Sequence, residues 1–213
     1  TPEELMRRFG VIITENLRPR WNVAPSQSAT VIIRDGLHTE AISAKWGLRH
    51  AGSNKSMLIN ARMETANEKP TFSGAFLHSR CIVVASGWYE WSAPKTPWHI
   101  QLRDGEVMAM AGLLFHGESQ SRFVIVTSAA DGELAEIHHR QPLVLGAGDE
   151  ENWLNGSADQ ASALCKVTPA SRFNWYRVSP DVGKVAIDHP DLITPLKGDE
   201  FLEAKDNQGD LFY

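Results

Sequence analysis

Four short segments of the chain combine polar side chains that can act as acids, bases or anion ligands with aromatic or turn-forming neighbours. They are RPRWNVAPSQ (18–27), LINARMET (58–65), SGWYEW (86–91) and AEIHHRQPLVL (135–145). A carboxylate, a histidine, an amide and guanidinium groups are the components of an acid–base site beside an anion-binding surface. The candidate side chains are Asn22, Asn60, Arg62, Glu64, Glu90, His138, His139 and Arg140.

Glu90 is the most unusual of these residues, because it lies between Tyr89 and Trp91 at the end of an apolar run that starts at Cys81. One interpretation is that its side chain points to solvent at a strand end. The other is that the aromatic rings desolvate the carboxylate and raise its pKa, which makes it a proton donor or acceptor near neutral pH. The segment alone does not decide between the two.

The other candidates also have structural interpretations. Asn60 and Arg62 alternate in a strand-like segment, so both side chains can simply face water. His138 and His139 are adjacent, and on a helix adjacent side chains diverge by about 100°. Because the chain has no HExxH segment, no paired CxxC and no glycine-rich phosphate loop, we expect neither a metal nor a cofactor.

Strand and turn signals dominate the middle of the chain. TPEELMRRFG has the capping and stop residues of a short helix, and RFVIVTS resembles a buried strand. Asp35-Gly36 and Asp104-Gly105 each lie between two strand-like segments, which predicts two hairpins. Short helices are predicted in DGELAEIHHR and DEENWLNG. The pattern predicts an α+β fold with a curved, mainly antiparallel sheet or an open barrel and short helices.

Composition limits the class of protein. The chain has 213 residues, 42% of them hydrophobic and 22% charged, which is typical of a soluble globular domain. No apolar run approaches the roughly 20 residues needed to span a bilayer, so we expect no membrane contact. Two cysteines and no signal-peptide pattern favour a cytoplasmic location. A net charge of −5 argues against a broad nucleic-acid coat but leaves room for a local basic groove.

In this order, the segments resemble the SOS response-associated peptidase (SRAP) family of abasic-site processing proteins. The matching stretches are RWNVAP, LINARMET, GWYEW, IHHRQPLVL, VTPASRFNW and DVGKVAIDHPDLITPL, and they extend over nearly all of residues 1–196. We therefore expect one SRAP-like domain over residues 1–196, acting as a monomer, followed by a flexible tail over 197–213. Seven tryptophans, several near Arg and Asn, also suit stacking on unpaired bases.

The resemblance implies a covalent reaction with an abasic site in single-stranded DNA. In the family, the α-amine of a cysteine that follows the initiator methionine attacks the sugar aldehyde, and its thiol closes a thiazolidine ring. The resemblance also implies that the methionine is removed by self-cleavage. By resemblance, Glu90 is the catalytic glutamate, His138 assists opening of the sugar ring, and Asn60 positions the amine and the sugar.

DNA contacts also follow from the resemblance. Arg62 and Arg140 correspond to phosphate clamps, Trp91 to a residue that stacks on DNA, and Asn22 with Pro25 to a lip that orders the DNA backbone.

The opening MCGR stretch of the family is not in the sequence, and Thr1 matches a position roughly ten residues into the usual chain. We expect the cysteine upstream of Thr1; the alternative is a relative that binds single-stranded DNA noncovalently. A peptidase acting on other proteins is disfavoured, because no independent nucleophile can be placed beside His138.

The last residues, QGDLFY, resemble the short peptide by which bacterial polymerases and repair proteins dock on the replication sliding clamp. Gln208 would donate or accept hydrogen bonds at the clamp surface, while Leu211 and Phe212 would fill an apolar pocket. The preceding stretch, KGDEFLEAKDN, is polar enough to act as a tether. The other interpretation is that Leu211 and Phe212 fold back on the surface of the protein itself.

Overall fold

A curved sheet organises the fold in the computed structural model, which describes residues 1–13, 17–49, 57–198 and the backbone of 202–203. The strands are β1 (Ile12–Ile13), β2 (Ser28–Asp35), β3 (His38–Trp46), β4 (Leu48–Arg49), β5 (Met57–Leu58), β6 (Asn60–Arg62), β7 (Arg80–Ala85), β8 (Gly87–Ser92), β9 (Thr96–Leu102), β10 (Met108–Phe115), β11 (Arg122–Ala129), β12 (Arg140–Pro142), β13 (Phe173–Arg177) and β14 (Leu202–Glu203).

The helices of the described residues are short and lie between strands. They are α1 (Pro2–Phe9), α2 (Pro70–His78), α3 (Leu134–Ile137), α4 (Glu150–Asn155) and α5 (Ala158–Ala163), with 3₁₀ turns at Ala170–Arg172, Pro180–Gly183 and Pro190–Ile193. None of them is long and apolar enough to cross a bilayer.

Strand order in the main sheet is β1-β3-β2-β7-β10-β11-β12, and β6 pairs with β11. Most neighbours are antiparallel, whereas β1–β3, β3–β11 and β6–β11 are parallel. The sheet curls because the end of β3 meets the start of β11, where Lys45 pairs with Arg122 and Trp46 with Phe123. A mixed α+β fold with a curved, mainly antiparallel sheet is therefore confirmed.

Both faces of the main sheet are covered, which explains the uninterrupted apolar runs in β7 and β10. Ile32 and Ile82 face a cluster that includes Phe76 of α2 and Trp153 of α4. On the opposite face, Val31, Cys81 and Met110 pack in a second cluster with Ile100 and Phe173 of the second sheet. Successive side chains of a strand point to opposite faces, so strands between two apolar layers must be apolar throughout.

The second sheet has the order β14-β13-β9-β8, which leaves β8 at one edge. Its inner face joins the core of the main sheet. Its outer face carries Tyr89 and Tyr176, which pack with Trp21, Val182 and Leu192 in a separate small cluster. Strand β8, which carries the GWYEW segment, therefore lies between two packed layers, and among the described residues it pairs only with β9.

The sequence predictions fare unevenly. The helix at the start of the chain is confirmed: Thr1 and Glu4 form a capping box, and Gly10 ends the helix with φ of 62°. The hairpin around Asp35-Gly36 is confirmed as β2–β3. The hairpin around Asp104-Gly105 is wrong, because β9 pairs with β8 and β13 whereas β10 pairs with β7 and β11. That turn carries the chain from one sheet to the other.

The predicted boundary at residue 196 stays a prediction. Beyond it, Leu202 and Glu203 pair with Trp175 and Asn174 of β13, so strand pairing continues past residue 196. Gln208, Leu211 and Phe212 lie outside the described residues.

Candidate functional site

Glu90 lies on β8, on the face that it shares with Trp88 because side chains alternate along a strand. The Trp88 ring packs edge-to-face against Phe173, with ring centroids 5.2 Å apart. The Glu90 side chain is 23% exposed. Burial raises the pKa of Glu90 to about 7, while the nearby His138 and a hydrogen bond from the Trp91 backbone oppose that shift. The Glu90 carboxylate is therefore partly buried rather than directed fully into solvent, although its neighbours Tyr89 and Trp91 lie on the other face of the strand.

His138 follows α3 directly and has an extended backbone, with φ of −151° and ψ of 142°. The helix ends there, so His138 and His139 are not two positions of one helix; their rings lie 4.5 Å apart. The Nδ1 atom of His138 lies 3.6 Å from Oε1 of Glu90 and 2.9 Å from the carbonyl oxygen of Arg140. This places a carboxylic acid of near-neutral pKa beside an imidazole, a pair suited to moving protons.

Asn60 and Arg62 lie on β6, with exposed side chains on either side of the buried Ala61. In the parallel pairing of β6 with β11, Asn60 is next to Ile125 and Arg62 is next to Thr127. β12 pairs with the following residues of β11, so β11 lies between the strand of Asn60 and the strand that begins at Arg140.

Arg140 joins these strands through its side chain. Its guanidinium donates to both carboxylate oxygens of Glu64, at 2.7 and 2.9 Å, and also to the Thr127 carbonyl of β11. The hydrogen bonds from Arg140 lower the pKa of the Glu64 carboxyl. The side chain of Arg140 is only 17% exposed. A DNA phosphate at Arg140 would therefore have to share or replace Glu64, whereas Arg62 is exposed.

The side chain of Asn22 is buried, so it acts within the protein. Its Nδ2 atom donates to the carbonyls of Val182 at 3.1 Å and Ile187 at 3.0 Å. Asp188 accepts hydrogen bonds from the backbone of Trp21 at 2.6 Å and of Asn22 at 3.1 Å. The following Pro25 is exposed. The buried Asn22 side chain thus anchors the predicted lip to the protein, and only Pro25 of the two predicted lip residues is exposed to solvent.

Tyr89 connects that segment to strand β8. Its hydroxyl donates to the carbonyl of Trp21 at 2.7 Å, and its ring packs against His99, with centroids 5.3 Å apart. The next side chain on the same face, Trp91, is 44% exposed. A large aromatic ring exposed to solvent can stack on an unpaired base.

Sequence reasoning assigned no role to Tyr89 or Asp188, and Glu64 was a candidate without a partner. Their importance comes from contacts between distant parts of the chain, such as the Trp21–Asp188 hydrogen bond across 167 positions. Local patterns carry no signal for such contacts.

The two cysteines are poor nucleophiles. Cys81 is fully buried, and burial raises its thiol pKa well above the ordinary range. Burial also raises the pKa of Cys165 to about 11. Among the described residues, no group of three His, Cys, Asp or Glu side chains could hold a metal ion.

Comparison with known proteins agrees with this geometry. The family model described as SOS response associated peptidase (SRAP) matches residues 1–185. The chain therefore belongs to the SRAP family, as the resemblance predicted.

Relatives with assigned names share about a third of their residues with this chain. The abasic site processing protein YedK of Escherichia coli (strain K12) is 34% identical, covering 83% of this chain and 85% of that protein. The abasic site processing protein YoqW of Bacillus subtilis (strain 168) is 33% identical, with coverages of 82% and 85%. The crystal structure of a phage-related protein from Bordetella bronchiseptica superimposes with a TM-score of 0.71 at 25% identity, covering 84% and 90% of the two chains.

Proposed function

We propose that this protein recognises abasic sites in single-stranded DNA and forms a covalent crosslink with the ring-opened sugar. The observation that carries the proposal is the proximity of Glu90, with a pKa of about 7, to the imidazole of His138 at the edge of a sheet. Family membership and the names of the relatives, abasic site processing proteins, support action on abasic sites. Trp91 and Arg62, both exposed, would stack on a base and bind a phosphate.

The nucleophile in this proposal is a cysteine at the mature N-terminus, preceding Thr1 in the full-length protein. Its α-amine adds to the aldehyde carbon, water leaves to give an imine, and the thiol adds across the C=N bond to form a thiazolidine. The amine must lose protons, and the departing hydroxyl must gain one. Glu90 can accept and return a proton near neutral pH, because burial keeps its pKa close to 7.

His138 and Asn60 have supporting roles in the proposal. His138 assists opening of the sugar ring, which exposes the aldehyde, and Asn60 holds the amine and the sugar in place. The same acid–base pair would support removal of the initiator methionine, which frees the cysteine amine. The alternative function is noncovalent binding of single-stranded DNA without a nucleophile.

The decisive experiment incubates the full-length protein with a single-stranded oligonucleotide that contains one abasic site. A tetrahydrofuran analogue, which cannot open to an aldehyde, is the matched control. We expect a shifted band on a denaturing gel for the abasic oligonucleotide and none for the analogue. Tight binding of both oligonucleotides with no denaturant-resistant band would establish the noncovalent alternative.

We also propose that the C-terminal residues Gln208, Leu211 and Phe212 dock on the replication sliding clamp. The sequence pattern is the main support: a glutamine, two variable residues and two adjacent apolar anchors. Tethering a DNA-damage protein near the replication fork raises its effective concentration there. In this view the protein acts as a monomer in the cytoplasm and associates with the nucleoid when DNA is damaged.

A further inference from the structure

Glu64 has no role in the reaction proposed above, yet its carboxylate is connected to His138 through one residue. Both carboxylate oxygens accept hydrogen bonds from the Arg140 guanidinium, and the carbonyl of Arg140 contacts Nδ1 of His138. We propose that Glu64 and Arg140 are positioning residues that fix the ring orientation and the tautomer of His138. The catalytic consequence of this inference rests on the proposed function, whereas the tautomer itself does not.

Arg140 is held in place both by its backbone and by its side chain. Its backbone starts β12 and pairs with Ala129 of β11. Its guanidinium reaches the Thr127 carbonyl of the same strand and continues to Glu64. Bidentate contacts between a guanidinium and a carboxylate constrain orientation as well as distance. The peptide between these anchors is thereby kept in one orientation.

The Arg140 backbone also bears on the proton of His138. A carbonyl oxygen has no proton to donate, so a hydrogen bond across its 2.9 Å contact with Nδ1 of His138 forms only when that nitrogen carries the hydrogen, whereas the competing bond from the Arg140 N–H needs the opposite tautomer. The Arg140 N–H lies farther away, at 3.3 Å, and is the weaker candidate for a partner. With Nδ1 protonated in the neutral ring, the Nε2 lone pair is free to accept a proton.

The Glu64–Arg140 pair contributes more to orientation than to stability. The Glu64 side chain is 44% exposed and that of Arg140 is 17% exposed, and solvent weakens such ion pairs. Glu64 follows β6, the strand of Asn60 and Arg62, and Arg140 lies two residues after His138. The ion pair therefore connects these two parts of the chain. One ion pair therefore aligns two parts of the proposed active site that come from distant positions in the sequence.

The test has two readouts. The first is NMR of the ring nitrogens in protein labelled with ¹⁵N-histidine, with the His138 signals assigned by their loss in His138→Ala. We expect the Nδ1–H tautomer in the parental protein and a mixture in Glu64→Ala. The matched control is Glu68→Ala, which removes the same charge from an exposed position on the same segment and should leave the tautomer unchanged. An unchanged tautomer in a folded Glu64→Ala protein would overturn the inference.

The second readout is a double-mutant cycle on the crosslinking rate of the full-length protein. Glu64→Ala should slow crosslinking by about tenfold, the lower end of the loss when a partner that orients a histidine is removed. In the His138→Ala background the same change should have no further effect, since Glu64 acts through His138. Equal losses in both backgrounds would contradict the inference.

Two additional controls separate the possible failures. If Glu64→Ala does not fold, Glu64→Gln keeps the side-chain shape and one acceptor oxygen, and should give an intermediate tautomer ratio. If the parental protein does not crosslink at all, the proposed function fails, while the NMR experiment still confirms or overturns the positioning of His138.

Discussion

Oε1 of Glu90 lies 3.6 Å from Nδ1 of His138, a separation too long for a good hydrogen bond and short enough for strong electrostatic interaction. The attraction lowers the pKa of Glu90, but desolvation is the larger effect, and the carboxyl titrates at about 7. A full hydrogen bond to a protonated imidazole would favour the ionised carboxylate at neutral pH. With a pKa of about 7, Glu90 can hold or release a proton near neutral pH.

The first prediction is that Glu90→Gln slows crosslinking to an abasic single strand by roughly 10²-fold, the usual range for lost acid–base catalysis. Glutamine preserves the shape of the side chain but cannot exchange a proton. The affinity for single-stranded DNA should change little. The rate is measured by denaturing gel and the affinity by fluorescence anisotropy. A variant that crosslinks at the parental rate would remove Glu90 from the mechanism.

The second prediction concerns stability and pH. The pKa of Glu90 rises on folding from its ordinary value of 4.5 to about 7, so the folded state binds the proton more tightly. This contribution to stability is complete below about pH 4.5 and is lost as the pH rises through 7. At pH 8, Glu90→Gln should therefore increase the free energy of unfolding by about 3 kcal/mol.

Urea unfolding of the parental protein and of Glu90→Gln at pH 5 and pH 8 measures this effect. The advantage of the variant should shrink towards zero at the lower pH. Glu68→Gln, at an exposed position, is the control and should show no such trend. A difference between Glu90→Gln and the parental protein that is equal at both pH values would contradict the raised pKa.

The third prediction concerns Arg62, whose side chain is exposed beside the site. Arg62→Ala should weaken single-strand binding for all sequences and reduce the salt slope by about 1, because one phosphate contact is lost. Arg7→Ala removes the same charge from an exposed position on α1, which contributes no residue to the proposed site. That control should change neither quantity, and equal effects of the two variants would show that Arg62 makes no local contact.

Arg140→Ala should behave differently from Arg62→Ala. It removes the partner of Glu64 as well as a predicted phosphate ligand, so affinity and crosslinking rate should fall together. Loss of affinity alone would indicate that Arg140 only binds phosphate.

The fourth prediction concerns Gly87, which starts β8. A Cβ atom there would lie 2.2 Å from Nε2 of His99 and 2.8 Å from the carbonyl of Ile100. Gly87→Ala should therefore destabilise the protein by about 1–3 kcal/mol, the usual cost of overpacking. Adding His99→Ala should recover part of that loss, although the backbone contact remains. The control is Gly74→Ala on α2, where an added Cβ atom would meet nothing within 4 Å beyond the helix's own backbone; this change should not destabilise the protein.

The fifth prediction is that the intact chain binds the purified sliding clamp with micromolar affinity, typical of short docking peptides, and that Leu211→Ala/Phe212→Ala abolishes the interaction. The two apolar side chains supply the anchors, so their removal leaves only the weak contacts of Gln208. Isothermal titration calorimetry with both proteins measures the effect. Equal heats of binding for the intact chain and the variant, or no heat of binding for either, would contradict the clamp hypothesis.

Sequence patterns predicted elements whose determinants are local. The capping box of Thr1 and Glu4 defines α1, and Glu90 and His138 stand within short recognisable segments. The turn at Asp104-Gly105 shows the limit, since a turn signal reports a change of direction but not which strands pair afterwards. The Glu64–Arg140 pair, across 76 positions, depends on the parallel pairing of β6 with β11, and no local pattern predicts that pairing.

The hydrogen bonds that hold Asn22 have a consequence for biosynthesis. The acceptors are carbonyls of residues 182–187, and the neighbouring Asp188 holds the adjacent backbone. During translation, Asn22 leaves the ribosome long before these partners are made. A nascent chain therefore cannot order the segment around Asn22 through these hydrogen bonds until nearly the whole domain has emerged. Under the proposed function, the protein would engage damaged DNA only once synthesis of the domain is almost complete.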